Sequence, residues 1–145
     1  LGSYSKMNLR NATEADLRFV AEHSISHGPK ECPSSIDFVY ALEHDGDLLG
    51  VGGIKLLNAT TAWAWFDLTE YARHHMKDTY RVIRDWMEKL MKTHNLTRLM
   101  AAVECDFGEA IRTAEHLGFH IEGVMENFFG DKSAYCYAKF AGGTS

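Results

Sequence analysis

The chain of 145 residues has only two prolines, Pro29 and Pro33, and three cysteines, Cys32, Cys105 and Cys136. An odd cysteine count with no CxxC pair supplies neither a disulfide framework nor a cysteine zinc site. The thiols are therefore expected to be reduced, with Cys105 and Cys136 in apolar surroundings. No run reaches the ~18 consecutive apolar residues that a membrane-crossing helix needs, and the first residues lack the basic-then-apolar order of a secretory leader. These absences point to a cytoplasmic protein and exclude the membrane as a partner. Without a leader, the sequons Asn11-Ala12-Thr13, Asn58-Ala59-Thr60 and Asn95-Leu96-Thr97 are read as chance matches. Net positive charge is missing as well: 15 Lys+Arg against 20 Asp+Glu give −5. The chain-wide basic footprint of a nucleic-acid binder is absent, although a local patch is still allowed.

What is present is 46% hydrophobic and 24% charged residues, the make-up of one globular domain. Residues 1–6 are read as a tag remnant or disordered N-terminus, 7–140 as a single domain and 141–145 as a tail. Both prolines fall between Ser24 and Ser35, the longest loop-like segment. Before it, Met7–Arg10 is a short strand candidate. Thr13-Glu14-Ala15-Asp16 resembles a capping box opening a helix with Leu17, Val20 and Ala21 on one face. After it, Phe38–Glu43 and Leu48–Leu57 are strands joined at Asp45-Gly46, a pair suited to the positive φ of a hairpin turn. Thr61–Asp67, with Trp63, Trp65 and Phe66, completes an antiparallel meander. Core packing is the default for both tryptophans, with an acceptor-pocket lining as the lesser reading.

A helical stripe of Tyr80, Ile83, Met87, Leu90 and Met91 predicts a helix over 79–94, ending near Asn95. The apolar run Leu99–Val103 reads as a buried strand. A helix over 107–117 follows, stopped by Gly118 as a left-handed cap. Strands over 119–126 and 133–140 close the chain around Gly130-Asp131. The order is β-α-βββ-α-β-α-ββ, an α/β (α+β) domain with about seven strands and no internal repeat. His116 and His120 are separated by Gly118, which breaks the shared helical face of a zinc pair, so no metal is expected.

That order, with Leu117-Gly118-Phe119 after the last helix and Arg10–Asp16 at the start, resembles the general control-related N-acetyltransferase superfamily (GNAT) over Met7–Phe140. The aromatic fourth strand and the polar link that follows it are similar to divergent GNAT-like proteins of phages and prophages. The resemblance implies a mixed, mostly antiparallel sheet with helices on both faces. It also implies acetyl-CoA as co-substrate, with pantetheine along the edge of the fourth strand at Trp65, Phe66, Asp67 and Leu68. The pyrophosphate would sit at the start of the next helix, where backbone N–H groups and the helix dipole favour an anion. His75-Met76-Lys77-Asp78-Thr79-Tyr80 occupies the family's phosphate loop, but Asp78 and Tyr80 replace its two small residues. Arg73, His74, His75, Lys77, Arg81 and Arg84 cluster around that helix start, and such cations could stand in for part of the lost backbone cradle.

Acetyl transfer to an amine needs a base for the ammonium and an acid for the leaving thiolate. The superfamily's usual acid, a Tyr four residues before the Gly of Leu-Gly-Phe, falls on Ala114, and its Asn falls on Phe107. Asp67 and Glu104, at the ends of the fourth and fifth strands, are the candidate bases, each with a capping or ion-pairing role as the bland alternative. Glu70 and Tyr71 lie on the adjoining loop, and Tyr71 could supply a hydroxyl. The expected activity is direct transfer of acetyl from acetyl-CoA to an amine, on a small molecule or a protein. A homodimer is an open alternative to a monomer. The rival reading is a catalytically inactive binding or structural module of phage or mobile-element origin. The acceptor would be chosen by the loops 24–35 and 126–133.

Overall fold

A computed structural model describes residues 7–25 and 38–142. The prolines, Cys32 and most of the 24–35 loop lie outside the described residues, as do residues 1–6 and 143–145. The elements are strand β1 (Met7–Asn11), helix α1 (Glu14–His23), strands β2 (Phe38–His44), β3 (Asp47–Leu56) and β4 (Thr61–Leu68), a 3-10 helix (Glu70–His74), helix α2 (Met76–Thr93), strand β5 (Arg98–Glu104), helix α3 (Gly108–His116), and strands β6 (His120–Phe129) and β7 (Lys132–Phe140). The strands form one sheet in the order β1-β2-β3-β4-β5-β7-β6. β4 and β5 run parallel, paired from Thr61↔Arg98 to Trp63↔Met100. The pairs β1–β2, β2–β3, β5–β7 and β6–β7 are antiparallel. Among the described residues no helix is long and apolar enough to cross a membrane.

Local chemistry sets most boundaries. The Thr13 hydroxyl accepts from the Asp16 N–H, and the Asp16 carboxylate accepts from the Thr13 N–H at 2.8 Å, so α1 opens on a complete capping box. Such a cap is worth about 1 kcal/mol. Asp45 and Gly46 turn the β2–β3 hairpin at φ 50° and 87°, the left-handed pair whose twist matches the flanking strands. Asn95 stops the polypeptide after α2 at φ 54°, and Gly118 does the same after α3 at φ 92°.

The structure moves some expected boundaries. α2 begins at Met76, three residues ahead of the expected start at Thr79, because the Thr79 N–H already donates to the His75 carbonyl at 2.9 Å. Tyr71 and Glu70 are not on an open loop but in the 3-10 helix, where the Ala72 N–H donates to the Thr69 carbonyl. Phe107 precedes α3 as its N-cap rather than lying inside it. The 126–133 segment is mostly strand: β6 runs to Phe129 and β7 starts at Lys132, leaving Gly130-Asp131 as the turn. Ala21, expected on the buried face of α1, is exposed, and Phe19 packs against the core instead.

The chain divides into two compact units, one from the described part of Leu1–Lys55 with Trp65–Val82, the other from Leu56–Ala64 with the described part of Ile83–Ser145. In the first, Val20 of α1 packs with Ala41, Leu48, Val51 and Trp65 of the sheet, flanked by Ala12, Leu17, Phe19 and Val39. In the second, Met87 and Leu90 of α2, Leu99 of β5, Ala114 of α3, Leu117 at its C-cap, and Tyr137 of β7 are all buried. Each large apolar side chain buried in this way contributes roughly 1.5–3 kcal/mol. That outweighs the weak helix preference of β-branched Thr79, Val82 and Ile83 near the start of α2.

Candidate functional site

The first unit holds one continuous segment in which strand, 3-10 helix and α2 follow each other, and most of the candidate residues lie on it. The Thr69 hydroxyl is fully buried and donates to the Leu48 carbonyl at 2.7 Å, while the Thr69 N–H donates to the Leu49 carbonyl at 2.8 Å. These bonds fasten the end of β4 to β3. Backbone groups alternate in direction along a strand, so Trp65 and Asp67 face β3 as Thr69 does. Phe66 and Leu68 turn theirs to the opposite edge. The glycines of β3 agree with this register: a Cβ on Gly50 would lie 2.8 Å from the Asp67 carbonyl oxygen, and one on Gly52 would lie 2.9 Å from that of Trp65.

The residues just after α1 cross that opposite edge. Ser24 bridges to Thr69, and the Ile25 N–H donates to the Leu68 carbonyl at 3.0 Å. The Ser24 hydroxyl donates to Oδ1 of Asp67, a half-buried carboxylate. Of the expected edge residues, Phe66 and Leu68 thus present backbone to the outer side, whereas Asp67 presents its side chain to the end of α1.

The 3-10 helix places Tyr71 in an aromatic cluster. Its ring centroid is 6.0 Å from that of Phe19 and 5.9 Å from that of His23, and Phe19 and His23 stack at 4.2 Å. His23 Nδ1 lies 3.9 Å from Oε1 of Glu70. Arg73 and His74 are exposed, Lys77 and Arg81 likewise, and His75 and Asp78 are half-buried. His75 packs against His44 of β2, with ring centroids 4.3 Å apart and planes tilted by 34°. An α-helix leaves its first backbone N–H groups without partners inside the helix. The amides at the start of α2 therefore give this helix end a positive bias, and Arg73, His74, Lys77 and Arg81 lie along the same stretch of chain, with Asp78 in the first turn.

The other candidate carboxylate belongs to the second unit. Glu104 is mostly buried and accepts from Nζ of Lys132 at 3.1 Å. This contact also holds the Lys132 ammonium above its ordinary range. Arg84 donates to the His116 carbonyl at the end of α3 and so belongs to the second unit rather than to the helix entrance. Ala114, at the position of the usual acid, is 1% exposed. Trp65 lies in the first unit's core, and Trp63 lies in the second unit, its ring 6.0 Å from Phe128. Burial raises the Cys136 thiol above its usual range, which disfavours the nucleophilic thiolate. Among the described residues no group of three or more His, Cys, Asp or Glu side chains is arranged to hold a metal ion.

Sequence reading missed Ser24, Thr69, His44 and Lys132. Each acts on a residue distant in the chain, and no local motif marks any of them.

No family model matches the sequence, and no curated protein sequence matches it. Solved structures do match. Ard1 from Thermoplasma volcanium superposes with a TM-score of 0.75 at 20% identity, covering 94% of this chain and 98% of that one. The spermidine/spermine N-acetyltransferase SpeG from Vibrio cholerae superposes with a TM-score of 0.72 at 17% identity, covering 96% and 95%. The ribosomal-protein-S18-alanine N-acetyltransferase from Escherichia coli gives 0.72 at 12% identity, covering 96% of each chain. The mixed, mostly antiparallel seven-stranded sheet with its three helices is the GNAT fold.

Proposed function

We propose that this chain is an N-acyltransferase that moves acetyl from acetyl-CoA to an amine by direct attack in a ternary complex. The observation that carries the reading is the first unit's continuous segment, in which a strand edge at Phe66, next to the Leu68 carbonyl already taken by Ile25, leads through the 3-10 helix with Arg73 and His74 into a helix entrance at His75 that carries Lys77 and Arg81. The edge offers backbone groups to the pantetheine amides. The entrance offers N–H groups and cations to the phosphates. Asp78 and Tyr80 leave less room for close backbone approach than the family's small residues, so side-chain cations carry more of the phosphate binding here. Two of the matching structures are named as N-acetyltransferases, of spermidine/spermine and of a ribosomal-protein alanine, which supports an amine as the acceptor class.

In this reading Asp67 takes the ammonium proton, directly or through water, and the freed amine attacks the thioester carbon. The CoA thiolate leaves as the tetrahedral adduct collapses and is protonated by solvent or by Tyr71. Asp67 is favoured over Glu104 because its side chain sits on the same segment as the helix entrance, while Glu104 is engaged by Lys132.

One observation favours the rival reading, a non-catalytic binding or structural module of mobile-element origin: the position of the usual acid is an alanine packed inside the core. Calorimetric titration with acetyl-CoA, followed by thiol release over a panel of amines, separates the two. The enzyme reading expects micromolar binding, a roughly fivefold or greater weakening in Arg73→Ala or Lys77→Ala, and thiol release with at least one amine. Binding without turnover on any amine supports the rival, and no binding at millimolar ligand defeats the acyltransferase reading.

A further inference from the structure

The last turn of α1 and the 3-10 helix meet in the first unit around three rings. Phe19 and His23 share one face of α1 and stack at 4.2 Å, and the Tyr71 ring stands 6.0 Å from Phe19 and 5.9 Å from His23. Phe19 is held by the core beneath, whereas Tyr71 is 36% exposed and the His23 side chain 32% exposed. Two carboxylates border these rings. Glu22 precedes His23 on α1 and is exposed, and Glu70 precedes Tyr71 with its side chain 58% exposed. Oε1 of Glu70 lies 3.9 Å from His23 Nδ1, too far for a hydrogen bond, and no Lys or Arg side chain among the described residues pairs with either carboxylate. The same stretch carries Asp67: the Ser24 hydroxyl, one residue past His23, donates to it, and Ser24 bridges to Thr69, one residue before Glu70. Packing the end of α1 requires the rings but not carboxylates without a cationic partner beside them. Ring faces and carboxylates together attract an organic cation and repel an anion.

We propose that this patch is an acceptor subsite for a second positive charge, so that the amine acetylated is a small diamine with one ammonium at Asp67 and the other at Glu70 and the ring cluster. The proposal rests on the acyltransferase reading given above and names the acceptor class within it. Asp67 takes the proton of the reacting ammonium. Glu70 lies beside an ammonium that keeps its proton throughout, so it contributes to binding and takes no part in the proton transfer. Asp67 and Glu70 are three residues apart, a Cα separation of at most about 10 Å, which a short flexible alkyl chain spans. A monoamine of the same length gains the contact at Asp67 alone. An amine that also carries a carboxylate would bring it against Glu70 and Glu22 and is disfavoured.

The test compares putrescine with butylamine, chains of equal length carrying two ammoniums and one, on wild type, Glu70→Gln, Tyr71→Phe and Tyr71→Leu, with thermal midpoints to check that each variant folds. In steady-state thiol release, wild type should favour putrescine by about tenfold in kcat/KM, the size expected of one charge-assisted contact. Glu70→Gln should cut that ratio to about twofold, and through the KM for putrescine rather than through kcat, a split that a merely structural role would not produce. Tyr71→Phe keeps the ring face and should keep the ratio, whatever loss of the hydroxyl does to the rate. Tyr71→Leu should lower the ratio by about threefold. A wild-type ratio near one overturns the proposal. So does a folded Glu70→Gln protein with the wild-type ratio, or a basic N-terminal peptide that outcompetes putrescine with no dependence on Glu70. Calorimetric titration of putrescine in the absence of acetyl-CoA separates this proposal from the reading it rests on. Putrescine binding that Glu70→Gln weakens, with no thiol release from any amine, defeats the acyltransferase reading and leaves the cation subsite standing. Thiol release from both amines with equal efficiency does the reverse. Failure of both binding and release defeats both.

Discussion

The Ser24 hydroxyl donates to Oδ1 of Asp67, joining the residue after α1 to the end of β4. Beside it, the Ile25 N–H donates to the Leu68 carbonyl, so the candidate base is held from the α1 side by a side chain and by backbone. Ser24→Ala removes the donor without adding bulk. It should cost about 1 kcal/mol in urea unfolding, the usual net worth of one hydrogen bond. If Asp67 is the base, the variant should also lose kcat with little change in the affinity for acetyl-CoA, because the carboxylate loses its fixed position while the helix entrance is untouched.

The two candidate carboxylates make opposite predictions. Asp67→Asn should lower kcat by at least ~100-fold, the lower range for loss of a general base. Glu104→Gln should change kcat by less than about threefold and stability by under ~1 kcal/mol, as expected where a partly solvated ion pair with Lys132 is lost. Steady-state thiol release on both variants decides between them, and a collapse of activity in Glu104→Gln alone would reverse the assignment.

The glycines of the sheet are not equivalent. A Cβ on Gly50 would meet the Asp67 carbonyl oxygen and a Leu68 methyl, both at 2.8 Å, whereas one on Gly123 meets nothing within 4 Å. Gly50→Ala should therefore destabilise by roughly 1–3 kcal/mol, the range for overpacking a buried site. Because it pushes on Asp67 and Leu68, it should also reduce activity beyond its effect on stability. Gly123→Ala should stay within about 0.5 kcal/mol of wild type. Paired denaturation curves check both.

Features that arise within a few residues of chain were legible in the sequence. Thr13 and Asp16 cap each other across three positions, Asp45-Gly46 turns a hairpin, and Asn95 and Gly118 adopt the positive φ their residue types allow. The order of elements followed from those stops and from the stripes between them. What was not legible depends on contacts across the fold. α2 starts before its apolar stripe because its first turn is anchored by the His75 carbonyl and the buried Thr79, not by a hydrophobic face. Phe19 rather than Ala21 packs inward because His23 and Tyr71 stack around it. Asp67 and Glu104 stood out as carboxylates near strand ends, but Ser24 and Lys132, which separate their roles, carry no sequence mark.

Acid stability should report on the Arg10–Asp16 pair. Arg10 Nη1 donates to Asp16 Oδ2 at 2.7 Å and Nη2 donates to Oδ1 at 3.0 Å, and the same carboxylate caps α1 through the Thr13 N–H. The Arg10 hydrogen bonds, reinforced by Thr13, outweigh burial and hold the Asp16 carboxyl at about 2, below its ordinary 3.8. A depressed pKa means that the folded state favours the ionised form. The stabilisation is therefore complete above about pH 4 and is lost as pH falls toward about 2. A shift of this size corresponds to about 2 kcal/mol at neutral pH, as an upper figure. Asp16→Asn should then be less stable than wild type by about that amount at pH 7. The gap should close progressively below pH 4, as wild type loses by protonation what the variant lost by substitution. Urea unfolding of both proteins from pH 7 down to pH 2 measures this. A gap that stayed constant across that range would mean that the carboxylate's charge contributes nothing, leaving only the neutral hydrogen bonds of the cap.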